Sequence, residues 1–111
     1  MSPSTGLDPH VRTNRGCNET GDDPVFYVGE SILVSYGVDS DTADLAQIVL
    51  FDILPGGFTN VLRNRIILTN NTFSFTAGVA PPTGVETLKL RASASGFTTQ
   101  TTFCSFTALQ Y

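Results

Sequence analysis

Apolar and polar residues alternate most regularly between residues 88 and 95 of the chain. The apolar residues take every second position: Leu88, Leu90, Ala92 and Ala94. Side chains of a β-strand point in turn to the two faces of a sheet, so this pattern predicts a strand with one buried and one solvated face. Residues 31–38 alternate in the same way and predict a second half-buried strand.

Turn-forming residues divide the rest of the chain into further short apolar segments. A nearly continuous apolar run over residues 46–54 predicts a central strand that is covered on both faces. Pro55 and the two glycines after it predict the turn that ends this strand. Shorter strands are predicted over residues 25–28, 58–62, 66–69 and 72–77, and a long last strand is predicted over residues 98–109. Roughly seven to eight mostly antiparallel strands favour an all-β sandwich of immunoglobulin-like or fibronectin-III-like type.

The first part of the chain lacks this periodicity. Residues 1–23 are polar and rich in Pro, Gly, Asn and Asp, which predicts a flexible N-terminal segment. The β-sandwich domain is therefore predicted over residues 24–111. A chain of 111 residues has room for one domain with one hydrophobic core.

Composition narrows the classes of function. Hydrophobic residues make up 41% of the chain and charged residues 14%, which is typical of a folded domain and not of a disordered one. The net charge of −4 disfavours a nucleic-acid partner, because a polyanion is bound by a basic surface. The sequence contains no run of about 18 apolar residues, so it predicts no membrane span.

The two cysteines, Cys17 and Cys104, lie near opposite ends of the chain. Neither belongs to a Cys-x-x-Cys or Cys/His group, so their spacing disfavours a zinc site and a thioredoxin-like redox site. In a sandwich of this type the first strand runs beside the last, which favours a structural disulfide between them. A disulfide implies an extracytoplasmic location. The alternative is a pair of unrelated buried thiols in a cytosolic protein.

Three stretches between residues 27 and 97 carry a family resemblance. Residues 27–30 read Tyr-Val-Gly-Glu, residues 52–62 read Asp-Ile-Leu-Pro-Gly-Gly-Phe-Thr-Asn-Val-Leu, and residues 82–93 contain Pro-x-Gly-x-Glu-x-x-Lys. In these stretches the chain resembles bacterial immunoglobulin-like accessory domains, and among them a family of unknown function appended to bacterial caspase-like peptidases, kinases and lipoproteins. The resemblance implies a non-catalytic β-sandwich of a bacterial surface or secreted protein. The cysteine pair and the Pro-Gly-Gly turn depart from that family.

Candidates for catalysis and metal binding are few. The single histidine, His10, lies in the polar N-terminal segment, away from any nucleophile, so an enzyme is not predicted. A loop carries Asp39, Asp41 and Asp44, whose oxygen ligands suit Ca²⁺. The loop lacks the glycine and the distal glutamate of an EF-hand. The alternative is a solvated loop whose aspartates form turns. The sequence predicts no cofactor other than this possible Ca²⁺.

A basic stripe is the other candidate site. Lys89 and Arg91 share the solvated face of their strand, and Arg63 and Arg65 are predicted on the same sheet. Together they are a candidate binding surface for an acidic protein or a cell-envelope polysaccharide, the alternative being an ordinary solvated face.

These observations favour one function and leave two alternatives. The favoured function is a non-catalytic extracytoplasmic accessory domain, acting as a structural spacer or a protein-interaction module. The first alternative is a carbohydrate-binding module of a secreted enzyme, although the chain has no Trp to form a sugar platform. The second is self-association as the subunit of a surface fibre, in which an edge strand pairs with the next copy.

Overall fold

The computed structural model describes residues 6–110, which form eight strands and one 3₁₀ turn at Asn18–Thr20. In chain order the strands are β1 (Asp8–Thr13), β2 (Val25–Tyr27), β3 (Ser31–Asp39), β4 (Leu45–Ile53), β5 (Thr59–Leu68), β6 (Asn71–Gly78), β7 (Gly84–Ser93) and β8 (Gln100–Leu109). Among these residues no helix is long and apolar enough to cross a membrane.

The strands form two sheets. One has the order β1-β3-β6 and the other the order β2-β8-β7-β4-β5. The pairing of β2 with β8 is parallel, and the remaining pairings are antiparallel. The chain crosses between sheets as an immunoglobulin-like sandwich does, with β3 and β6 in one layer and β4, β7 and β8 in the other. The predicted all-β sandwich is confirmed.

The core lies between the inner faces of the two sheets. Val34 on β3 and Leu90 on β7 are fully buried, and so are many of the alternate residues on their strands. The rings of Phe26 and Phe106 pack edge to face at 5.2 Å between centroids. The alternation that began at Leu88 is confirmed, because Leu88, Leu90 and Ala92 are buried.

The predicted N-terminal boundary is wrong for residues 8–23. Strand β1 lies in this segment and pairs with β3 from Asp8 opposite Asp39 to Thr13 opposite Val34. Val11 and Thr13 are buried against the core, so the sandwich begins at Asp8 and not near residue 24. Residues 1–5 of the predicted flexible segment lie outside the described residues.

The predicted disulfide is confirmed. Cys17 and Cys104 are bonded, with Cα atoms 5.0 Å apart across a sequence separation of 87. Both cysteines are buried, and the bond joins the segment between β1 and β2 to the last strand.

Beside the disulfide, the Ser105 N–H and hydroxyl each donate a 2.9 Å hydrogen bond to the Glu19 carboxylate. Burial opposes ionisation of this carboxylate, but the hydrogen bonds prevail and lower the pKa of Glu19.

Candidate functional site

The outer faces of the two sheets have opposite character. On the three-stranded sheet the outward positions are mainly polar, for example Arg12, Ser35 and Ser74, which lie side by side across β1, β3 and β6. The outward positions of the five-stranded sheet carry most of the large apolar side chains that residues 6–110 expose: Val25, Tyr27, Leu45, Val61, Ile66, Leu68, Val85, Phe103 and Leu109. We call this surface the apolar face.

A row of four side chains crosses the middle of the apolar face. Phe103 lies opposite Lys89, Lys89 opposite Phe51, and Phe51 opposite Val61, so the row spans β8, β7, β4 and β5. The Lys89 Nζ and the Arg91 Cζ lie 5.5 and 5.4 Å from the centroid of the Phe51 ring. Such cation–π contacts hold the two long side chains against the sheet.

A shallow groove of about 400 Å³ opens at one end of the apolar face. The residues that line it come from β4, β5, the end of β7 and just beyond it: Leu45, Ala46, Gln47, Ile66, Ser93, Ala94 and Ser95. Strand β7 ends at Ser93, opposite Gln47, so the start of β4 has no partner on that side and a gap remains. The groove therefore adds an apolar depression to the apolar face.

The predicted basic stripe is divided between the two faces of the sheet. Arg63 pairs with Leu50 and Arg65 with Ile48, whose side chains lie in the core, so both arginines sit on the inner face of the edge strand β5. The Arg63 guanidinium lies 3.9 Å from the centroid of the Phe75 ring on β6. The prediction that all four basic residues share one surface is therefore wrong.

The cause of this error is a β-bulge in β5. Phe51 pairs with Val61 and Leu50 with Arg63, so Leu62 is an extra residue between two pairs. An extra residue reverses which side chains point outward. The two short strands predicted over residues 58–62 and 66–69 are one strand, β5, because both segments pair with β4. Lys89 and Arg91 stay on the outer face.

The predicted calcium ligands lie in one polar loop and at the end of the strand before it. Asp39, Asp41 and Asp44 are exposed around the connection between β3 and β4. Across residues 6–110, no group of three or more His, Cys, Asp or Glu side chains is placed to hold a metal ion. The Ser40 hydroxyl instead accepts hydrogen bonds from the N–H groups of Thr42 and Ala43. The turn hydrogen bonds of this loop are therefore made by Ser40, and calcium binding stays a prediction.

His10 is part of the sandwich, on β1. Its Nδ1 lies 3.8 Å from Asp39 Oδ2, and its Nε2 lies 3.4 Å from the hydroxyl of Thr72. All three side chains belong to the exposed, polar outer surface of the three-stranded sheet. The arrangement is a surface contact between neighbouring strands.

A pair of acids in the core was missed by the sequence analysis. Asp52 on β4 and Glu86 on β7 are 6% and 2% exposed. Among the described residues, Asp52 Oδ1 and Glu86 Oε1 are buried atoms with no hydrogen-bond partner. Burial, together with the hydrogen bond and the charge of Asp52, raises the pKa of Glu86 to about 9. Glu86 therefore keeps its proton inside the folded domain at neutral pH.

The signal for this pair was present in the alternation. Asp52 is in phase with the buried Ile48 and Leu50, and Glu86 is in phase with Leu88 and Leu90. An acid at a position whose neighbours on the same face are apolar is an acid in the core.

Comparison with known proteins returned no match to a family model and no match to a curated protein. The resemblance to bacterial immunoglobulin-like accessory domains therefore stays a prediction.

Proposed function

We propose that the chain is a non-catalytic, extracytoplasmic accessory domain of a bacterial surface or secreted protein, and that it binds a protein partner through the apolar face. The observation that carries this proposal is the contrast between the polar outer face of one sheet and the apolar outer face of the other. Folded monomers rarely expose large contiguous apolar patches, and such patches commonly mark interaction sites.

The disulfide supports the proposed location. The bond between Cys17 and Cys104 is buried, and structural disulfides persist mainly in oxidising compartments.

The chemistry of the apolar face supports binding over catalysis. Its central row consists of aromatic, aliphatic and cationic groups, which contribute contact area and charge.

Cross-linking from matched positions tests the proposal. A photo-reactive phenylalanine analogue would replace Phe103, which is 47% exposed on the apolar face, or Leu33, which is 43% exposed on the other sheet. We expect position 103 to give a discrete protein adduct in producing cells and position 33 to give none. Equal labelling from both positions, or no protein adduct at position 103, would contradict the proposal.

The carbohydrate-binding alternative has one observation in its favour. Phe103, Lys89 and Phe51 form an aromatic and cationic row of the kind that can bind a sugar ring and its carboxylate. The same face also exposes aliphatic residues such as Leu45, Ile66 and Val85, however, and these suit a protein surface better. Retention of the chain on a polygalacturonate column that is lost with Phe103→Ala would favour this alternative.

The structure supports the fibre alternative less well than the carbohydrate-binding alternative. The exposed edge of β5 carries a bulge at Leu62, and Arg63 and Arg65 point inward along it. Bulges and inward charges are features that prevent a strand edge from pairing with another copy. Light scattering that shows assembly with rising concentration would restore this alternative.

A further inference from the structure

We infer that the apolar face binds an extended acidic segment of a partner protein, with one large apolar side chain in the groove and acidic side chains two and four residues away from it. This inference rests on the proposed function, and it specifies the chemistry of the partner. The partner's sequence pattern follows from the positions of the groove and the two cations.

The charge of the apolar face points to an acidic ligand. The chain carries a net charge of −4, yet the charged side chains on the outward strand positions of this face are Lys89 and Arg91, both cationic. The Glu19 carboxylate lies at the margin, where Ser105 already donates two hydrogen bonds to it. A negatively charged ligand therefore meets attraction at the centre of the face.

The spacing of the sites defines the ligand. Ser93 at the groove, Arg91 and Lys89 are alternate residues of one strand and share its outer face. Alternate residues of a strand lie about 7 Å apart. An extended ligand has the same spacing along its own backbone, so an apolar residue in the groove places its second and fourth neighbours above Arg91 and Lys89.

The two cations are already held in place. Both lie against the Phe51 ring, at 5.4 Å for Arg91 and 5.5 Å for Lys89. A side chain that is ordered before binding loses less conformational entropy when it binds. The arrangement therefore favours a ligand that presents two acids in line.

Other occupants fit this face less well. A second copy docked face to face about a two-fold axis through the central row would bring Lys89 and Arg91 against the same cations of its neighbour, which is unfavourable. An anionic polysaccharide would satisfy the cations, but it has no group for the aliphatic groove formed by Leu45 and Ile66. A protein segment can satisfy both.

Selection from a displayed library of random eight-residue peptides tests the inference. With the disulfide-bonded chain as bait, we expect enrichment of peptides that read apolar-x-acid-x-acid or, for the opposite chain direction, acid-x-acid-x-apolar. Fluorescence anisotropy would then measure binding of the most enriched peptide. We expect Arg91→Gln or Lys89→Gln to weaken binding about tenfold, in line with a charged hydrogen bond.

The matched control is Arg12→Gln, the same change at an exposed position on the polar outer face of the other sheet. It should alter the affinity less than twofold, and thermal unfolding checks that each variant is folded. Enriched peptides without acids that still bind the apolar face would overturn the inference and leave the proposed function standing. No enrichment of peptides, or equal binding by all three variants, would also overturn the inference. The proposed function is decided separately, by whether cross-linking from position 103 gives a protein adduct.

Discussion

Replacing Glu86 with Gln should stabilise the domain at neutral pH and remove most of the pH dependence of its stability. The folded state raises the pKa of Glu86 from 4.5 to about 9. At a pH below the pKa of Glu86 in the unfolded chain, both the folded and the unfolded state hold the proton. Above that pKa the unfolded chain releases the proton while the folded domain keeps it, so stability falls as the pH rises, until the folded pKa is passed.

The magnitude at neutral pH follows from the pKa of the unfolded chain. One retained proton costs about 1.4 kcal/mol per pH unit, and pH 7 lies about two and a half units above the unfolded value, so the cost is about 3 kcal/mol. This figure holds for any folded pKa well above 7. A Gln amide keeps the shape of the side chain and can donate to Asp52, so we expect a gain of about 2–3 kcal/mol at pH 7.

Urea unfolding followed by tyrosine fluorescence at pH 5, 7 and 8.5 measures both quantities. Hydrogen bonds lower the pKa of Glu19, through Ser105, and of Glu30, through the Arg15 guanidinium, so these acids titrate below this range and do not contribute to the slope. The control is Asp41→Asn, which removes a carboxyl from an exposed position and should leave the wild-type slope unchanged. The reasoning fails if wild-type stability is flat or rises across the range, or if Glu86→Gln keeps the wild-type slope.

Three further changes test the fold. Replacing both Cys17 and Cys104 with Ser should lower the free energy of unfolding by about 4–5 kcal/mol, measured in urea, because the bond closes a long loop; a loss below about 1 kcal/mol would contradict this. Leu90→Ala should cost about 2–5 kcal/mol because Leu90 is fully buried, and the exposed control Leu33→Ala should change stability by about 0.5 kcal/mol or less. Deleting residues 1–13 should lower the urea midpoint, because the buried side chains of Leu7 and Val11, each worth about 1.5–3 kcal/mol, are lost; an unchanged midpoint would restore the boundary near residue 24.

Alternation of apolar residues was sufficient to predict the central strands. Leu88, Leu90 and Ala92 face the core because a strand has a period of two residues. The same rule fails for β1, where Val11 is the single large apolar residue and the other positions are polar or proline. Pairing with β3, which is distant in sequence, makes this segment a strand.

The candidate site was predicted in part. Lys89 and Arg91 were placed correctly on a solvated face because their strand is regular. The positions of Arg63 and Arg65 depend on the extra residue Leu62, and a bulge is set by pairing with β4 and not by local sequence. The apolar face itself arises from strands that are adjacent only after folding.

The position of the disulfide also determines how the domain responds to tension. A pulling force applied between residues 6 and 110 passes from Cys17 directly to Cys104, because a covalent bond joins them. The intervening chain, with its separation of 87 residues and an extended length of roughly 300 Å, is shielded from the load. Strand β1 and the end of β8 lie outside the loop and can be peeled away. While the bond is intact, β4, β5 and β7, which carry most of the central row and of the groove, stay within a segment that cannot be drawn out.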